Sequence, residues 1–182
     1  MAKAEGWEVE AKVRVEDPAL VEDRLRRLGA EYLGSTVEED IYFNYRERAC
    51  GDFAESDEAL RIRRDDEGCE LTYKGPRASP TLKSRLEISV RVSSCDDLVE
   101  ILERIGFVAS ARVVKRRKTY WLEGVKVNLD DVEGLGVFVE IEAVGGRGSA
   151  ERRVVEVARL LGFEPPFITE SYLEMLLKGG AK

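Results

Sequence analysis

The chain contains no histidine. That removes the commonest general base, the usual catalytic zinc ligand and every Ser-His or Cys-His arrangement. Any catalysis rests on carboxylates, Lys, Arg, Tyr or a metal. The three cysteines, Cys50, Cys69 and Cys95, are odd in number and lack C-x-x-C spacing. They imply neither a disulfide framework nor a zinc site, and a cytoplasmic location is expected. No apolar run approaches the roughly 20 residues that span a bilayer. The stretch MAKAEGWEVE also lacks a signal-peptide core. A soluble protein without a membrane partner is expected. An excess of cations is missing too. The 29 Lys and Arg against 36 Asp and Glu leave a net charge of -7, which argues against a phosphate-backbone binder and so against a nucleic-acid partner. Cations used on a ligand must be concentrated locally.

What is abundant is charge, 36% of all residues, much of it at alternate positions. In WEVEAKVRV, Glu8, Glu10 and Lys12 alternate with Val9, Ala11 and Val13, so a β-strand would carry the charges on one face and apolar groups on the other. The same arrangement groups Arg61 with Arg63 and Arg85 with Glu87 and Arg91. It also groups Lys126 with Asn128 and Asp130, and Glu140 with Glu142. A lone strand of this kind would be half exposed. Repetition of the pattern with charges of both signs points to a shared charged chamber.

A chain of 182 residues suits one domain with a substantial core, read here as a single domain over 1–182. Two related halves are expected, about 6–76 and 83–145, because WEVEAKVRV (7–15) lies on SRLEISVRV (84–92) and RLRRLG on ILERIG. In each half a helix follows the first strand. Asp17-Pro18 supplies a cap and first-turn proline, Leu20, Val21, Leu25 and Leu28 the apolar stripe, and Gly29 the stop. The second copy runs from near Ser94 to Gly106, and further helices are expected near 149–161 and 170–177.

Strands are expected near 6–15, 36–46, 58–65, 69–75, 84–92, 112–122, 124–131 and 137–144, with turn chemistry at Asp65-Asp66-Glu67-Gly68, Glu123-Gly124 and Glu133-Gly134-Leu135-Gly136. Eight strands in two β-α-β-β-β halves can close into an antiparallel barrel. The fold class is thus α+β, with helices over the apolar outer face and the charged face lining the lumen. That lumen would hold Lys12, Arg14, Arg61, Arg63, Lys74, Arg85, Lys115, Arg117 and Lys126 against Glu8, Glu10, Glu87, Asp130, Glu140 and Glu142. Enclosed charges are costly to desolvate and apolar replacements often serve stability as well, so function is the better reason for them. A cationic wall suits a polyphosphate. Carboxylates facing it make sense if they hold Mg²⁺ or Mn²⁺.

Taken in order, Glu8-x-Glu10-x-Lys12, EEDIYFN (38–44), DFAESDEALRIRR (52–64), LTYKGP (71–76), SRLEI (84–88), VVKRRKTY (113–120) and LDDVEGLGVFVEIE (129–142) resemble the CYTH family. These are the triphosphate tunnel metalloenzymes, which include CyaB-type class IV adenylyl cyclases and thiamine triphosphatases. The likeness is to the archaeal CyaB-like branch and covers about residues 6–177. E-x-E-x-K alone is a weak signal, whereas the ordered set with LTYKGP and DDVEGLGVFVEIE is specific. The resemblance implies metal-binding carboxylates at Glu8, Glu10, Asp130, Glu140 and Glu142. It implies a triphosphate clamp of Lys12, Arg61, Arg63, Lys74, Lys115 and Arg117, with Arg85 and Glu87 as lumen companions. Glu10 and Lys12 are the candidate catalytic pair. Bacterial cyclases carry a His-Phe pair before the first strand, which is absent here, so no nucleobase-recognition residue is carried over.

The implied substrates are ATP, thiamine triphosphate or inorganic triphosphate. Cyclisation of ATP to cyclic AMP and pyrophosphate is favoured, a triphosphatase is the alternative, and a polyphosphate- or nucleotide-binding module without turnover is the third reading. A homodimer is left open. Arg116 and Lys118 point outward by alternation, and Gly145-Gly146-Arg147-Gly148-Ser149 lacks the ending of a phosphate loop and caps a helix instead. ERACGDFAES (47–56) and GPRASPTLK (75–83) are polar loops that could act as lids or serve as plain connections. VKRRK and RIRRDDE resemble the ion-pair-rich composition of thermophile proteins.

Overall fold

The alternation of charged and apolar residues produces eight strands that bury one side and enclose the other. A computed structural model describes residues 7–47, 51–53, 55–78, 82–145 and 147–179. Its element order is β1(Trp7–Arg14), α1(Pro18–Arg27), β2(Glu31–Tyr45), β3(Ala59–Asp65), β4(Gly68–Lys74), β5(Lys83–Val92), α2(Cys95–Arg104), β6(Phe107–Leu122), β7(Val125–Val132), β8(Gly136–Val144), α3(Arg147–Leu160) and α4(Tyr172–Gly179). The strands close into a barrel in the order β1-β5-β4-β3-β2-β6-β7-β8, and every neighbouring pair is antiparallel. The first strand of each β-α-β-β-β run pairs with the last strand of the other, β1 with β8 and β5 with β4.

Local chemistry sets the connections. Asp17 caps α1 by accepting hydrogen bonds from the Ala19 and Leu20 amides, and Ser94 caps α2 through the Asp97 amide. Glu123 and Gly124 join β6 to β7 with φ of 48° and 79°. Positive φ at both central residues matches the right-handed twist of the flanking strands.

The apolar faces point outward under helices. Val9 and Ala11 of β1, Val127 and Leu129 of β7 and Val139 and Ile141 of β8 pack beneath α1 and α3, meeting Val21, Leu25, Val154, Val157 and Leu161. A second layer places Leu98, Val99 and Leu102 of α2 on Phe43, Leu60, Ile62 and Leu71. The third cluster lies on the inner face at one end, where Tyr172, Leu173, Met175 and Leu176 of α4 meet Tyr42, Val113, Val132 and Phe138.

Three expectations need correction. β2 and β6 begin at Glu31 and Phe107 and pair with each other along almost their whole length, from Glu31↔Trp121 to Tyr45↔Phe107. Their first turns carry Gly34, Ser35, Ala109 and Ser110, which show no charge alternation, so only their mutual pairing makes them strand. Cys69 and Cys95 form a disulfide with Cα atoms 5.5 Å apart, because α2 lies on the outer face of β4. Arg14 is exposed and not in the lumen. At its end of the barrel the inner face is apolar, so its guanidinium packs on Phe138 at 4.5 Å and donates to the Leu135 carbonyl at 2.5 Å. Cys50, Gly146 and parts of the two candidate lid loops (48–50, 54 and 79–81) lie outside the described residues.

Candidate active site

The barrel encloses a cavity of about 960 Å³. It is lined by Glu8, Glu10, Lys12, Arg61, Arg63, Lys74, Arg85, Glu87, Lys115, Arg117, Glu140 and Glu142, which the alternation had placed there. Lys126 also lines it, with its side chain half exposed. Asp130 is fully buried but set back behind Arg117. Lys118 points outward onto Glu22 of α1.

One wall is built by β1, β7 and β8. Lys12 Nζ sits 3.0 Å from Glu10 Oε1 and 3.2 Å from Glu140 Oε1. It donates to the Glu170 carbonyl at 2.9 Å and lies 4.2 Å above the Tyr172 ring. Arg117 reaches across from β6, forking onto Asp130 at 2.7 and 2.6 Å and touching Glu140 at 2.5 Å. Tyr172 Oη donates to Asp130 at 3.0 Å. Toward the rim, Glu142 has Lys126 at 3.9 Å, and Glu87 pairs closely with Lys74.

The other wall belongs to β2, β3 and β6. Arg63 donates from Nε and Nη2 to the two oxygens of Asp40 at 2.7 and 2.8 Å and places Nη1 2.9 Å from Glu38. Lys115 Nζ lies 2.7 Å from Glu38 and 3.5 Å from Asp40. Arg61 donates to Thr72 Oγ1 at 2.9 Å. At the α4 end Arg77 bridges Asp57 and Glu174 at 2.9 and 3.1 Å, and Arg85 lies 3.7 Å from Asp57.

The walls treat their acids oppositely. At Glu38 burial raises the carboxyl, but Arg117, Lys115 and Arg63 outweigh it and bring it down to about 2. Asp40 is likewise held well below the usual range, burial being overcome by Lys115, Arg61 and Arg63. Across the cavity, burial and then Glu8 push Glu142 up to about 8. Burial, partly offset by Lys74 and reinforced by Glu8, pushes Glu87 up to about 7. Asp130 is raised as well, by burial first and also by Glu140, against the pull of Arg117.

Glu38, Asp40, Thr72, Arg77 and Tyr172 were not among the residues expected to build the site. Glu38, Asp40 and Tyr42 do alternate within EEDIYFN, so their shared face was there to be found. Arg77 sits in a loop and Tyr172 on a helix, where strand alternation gives no signal.

Two features bear on what the cavity takes. Arg61 Nε, Arg85 Nε and Asn128 Nδ2 are buried donors without a hydrogen-bond partner, and unmet donors beside cations suit an oxyanion. Among the described residues no three acidic groups converge closely enough to hold a metal ion by themselves. The donor set still fits a hard divalent cation. Glu8, Glu10, Glu140 and Glu142 offer oxygen ligands, their mutual repulsion would be relieved by a cation, and such ions take one or two carboxylates together with phosphate oxygens.

A closed barrel thus surrounds opposed cations and carboxylates. The CYTH domain profile matches residues 7–172, and the chain belongs to the CYTH family. It is 36% identical over 173 residues to a candidate adenylate cyclase of Methanocaldococcus jannaschii, covering 92% of this chain and 97% of that one. It is 30% identical over 138 residues to the adenylate cyclase CyaB of Aeromonas hydrophila, covering 74% of this chain and 68% of the relative. The solved structure of the PH1819 protein from Pyrococcus horikoshii superposes with a TM-score of 0.82 at 39% identity, covering 94% and 99% of the two chains. No helix among the described residues is long and apolar enough to cross a membrane.

Proposed function

We propose that the tunnel binds a triphosphate together with Mg²⁺ or Mn²⁺, and that its reaction is the cyclisation of ATP to cyclic AMP and pyrophosphate. The observation that carries this reading is one cavity in which buried Lys12, Arg61, Arg85, Lys115 and Arg117 face a set of crowded carboxylates. Arg61, Lys74, Arg85, Lys115 and Arg117 hold phosphate oxygens, and Arg63 backs them. Glu8, Glu10, Glu140 and Glu142, with Asp130 behind them, hold the metal, whose contribution is to neutralise charge on the phosphates.

The chemistry is then positioning and charge stabilisation. The 3′-hydroxyl forms a bond to the α-phosphorus, the bond from that phosphorus to the β-phosphate oxygen breaks, and the hydroxyl proton leaves to solvent. Arg and Lys in the tunnel stabilise the charge that builds on the departing pyrophosphate. Lys12, held by Glu10, Glu140 and the Glu170 carbonyl, faces the phosphates from the carboxylate wall as part of the clamp.

Terminal hydrolysis of thiamine triphosphate or inorganic triphosphate is the second reading. A Hippeastrum protein sharing the fold at 20% identity and a TM-score of 0.67 is described as having a dominant triphosphatase activity, so the barrel alone does not choose the bond that is cut. Product analysis chooses. Purified protein with ATP and Mg²⁺ or Mn²⁺ should release cyclic AMP and pyrophosphate in equal amounts. Orthophosphate in their place, released faster from thiamine triphosphate or inorganic triphosphate than from ATP, would overturn cyclisation in favour of hydrolysis. Tight binding with neither product would leave a binding module.

A further inference from the structure

Two carboxylates in the tunnel stand where elementary electrostatics would not put them. Glu38 and Asp40 are 5% and 2% exposed and lie among the cations assigned to phosphate. A triphosphate brought to Lys115 or Arg61 would approach both acids, and like charges at such distances repel strongly in a poorly solvated site. Arg117 stands between Glu38 and the Glu140 wall, 3.8 Å from the one and 2.5 Å from the other, and the nearest partners of both acids are cations, so coordination does not account for them.

Their partners do. In the β-ladder Glu38 is directly opposite Lys115 and Asp40 directly opposite Arg63, so each acid forms a cross-strand rung with a cation on the inner face. The side chains extend that lattice. Each nitrogen of Arg63 faces an acceptor, Nε and Nη2 on Asp40 and Nη1 on Glu38. Lys115 touches both acids. Arg61 Nη1 stands 3.8 Å from Asp40 and Arg117 Nε 3.8 Å from Glu38. The two acids thereby hold Arg63 and Lys115 directly and stand within 4 Å of Arg61 and Arg117. Free Lys and Arg side chains lose rotamer freedom when a ligand immobilises them, and a site that has already ordered them binds better for it.

We propose that Glu38 and Asp40 are positioning residues of the phosphate clamp, holding Arg63, Lys115 and Arg61 in ligand-ready geometry instead of competing with the ligand for them. Arg63 becomes a buttress, its planar fork spent on the two acids, while Lys115 and Arg61 present their remaining N–H groups to phosphate. Both acids are held below the usual carboxylate range by these cations, so the lattice is in place before a ligand arrives. The proposal rests on the triphosphate reading of the tunnel.

The sign of one substitution effect tests it. If the acids merely repelled the ligand, Asp40→Asn and Glu38→Gln would tighten anion binding. As positioning residues, their loss should weaken it. Titration calorimetry of the full chain with tripolyphosphate and Mg²⁺ should show roughly a 10-fold rise in Kd for Asp40→Asn, equivalent to about 1.4 kcal/mol, and a smaller rise for Glu38→Gln. In an Arg63→Gln background Asp40→Asn should add little, because its effect runs largely through Arg63. With a substrate that turns over, KM should rise by the same factor while kcat changes by less than about 3-fold. Thermal unfolding reports which variants fold, and Glu38→Gln decides if Asp40→Asn does not. Binding by the unsubstituted protein with equal or tighter binding by folded variants would overturn this proposal alone, as would failure of both variants to fold. Failure of the unsubstituted protein to bind tripolyphosphate would overturn the triphosphate reading and this proposal with it.

Discussion

Glu38 and Glu142 are glutamates in the same tunnel, yet burial loses at one and wins at the other. Glu38 has Arg63 and Lys115 within 3 Å, and its carboxyl falls to about 2. Glu142 has its nearest cation at 3.9 Å and Glu8 and Glu140 among its neighbours, and it rises to about 8. On the wall of β2, β3 and β6 each buried acid is therefore matched by at least two cations. The wall of β1 and β8 carries negative charge that is only partly matched. On the proposed reading a divalent cation would neutralise charge on that side, which is how a chain with net charge -7 would accept an anionic ligand.

The contrast is broken most forcefully on the wall of β1 and β8. Glu10→Gln or Glu140→Gln should lower triphosphate turnover by 100-fold or more, the order seen when groups that stabilise a charged transition state are removed. Excess chelator should do the same to the unsubstituted protein. Full activity in chelator would show that the carboxylates are not there for a metal.

A smaller effect belongs to the cationic side. Arg61→Ala or Lys74→Ala should weaken triphosphate binding by about 10- to 100-fold, in line with the loss of one charge-assisted hydrogen bond, and should narrow the preference for tri- over diphosphate. Calorimetry with the two ligands reads both. Equal affinity of the unsubstituted protein for mono- and triphosphate would remove the clamp from consideration.

The smallest effect is on stability and has opposite signs on the two sides. A carboxyl raised in the folded state stabilises it fully below its ordinary value and loses that contribution as pH rises, so Glu142 should destabilise the unliganded protein between about pH 4.5 and 8. Glu142→Gln should flatten that decline, recovering about 1–3 kcal/mol near pH 8. Glu38, being lowered, contributes fully above about pH 4.5 and loses stability only as pH falls toward 2. Thermal unfolding across pH, without ligand, measures both. A rise in stability from pH 5 to 8 would contradict the crowding on β1 and β8.

Alternation was enough to place Lys12, Arg61, Arg117 and Glu140 inside the barrel, because a period of two leaves a side chain only two faces and helices over the apolar one settle which is which. It failed where the lumen ends. Arg14 shares the face of Lys12, but two residues further along that face is apolar and roofed by α4, a fact of tertiary packing invisible in β1. Glu38 and Asp40 went unassigned although their spacing was regular, since the only role the sequence suggested for lumen acids was metal binding and their contacts with Arg63 and Lys115 depend on strands far apart in the chain. The Cys69–Cys95 disulfide depends on where α2 lands on β4, which spacing alone does not encode. The full extent of β2 and β6 was hidden for a similar reason, as Gly34 and Ser110 become strand only against each other's neighbours.

The exchange of strands between the halves has a consequence for folding. β1 has two neighbours, β5 and β8, both from the other half of the chain, so a fragment ending after β4 would leave Glu10 and Lys12 on a strand with nothing to pair with. Fragments cut between β4 and β5 should complement each other when mixed and do little alone. The seam that joins Glu8 to Val144 brings together residues far apart in sequence, and loop closure over that span makes it a late event. Because that seam also assembles Lys12 with Glu140, the site exists only once the ring is shut. A partly folded chain has no tunnel to offer, and ligand binding therefore acts on the closed state as a whole.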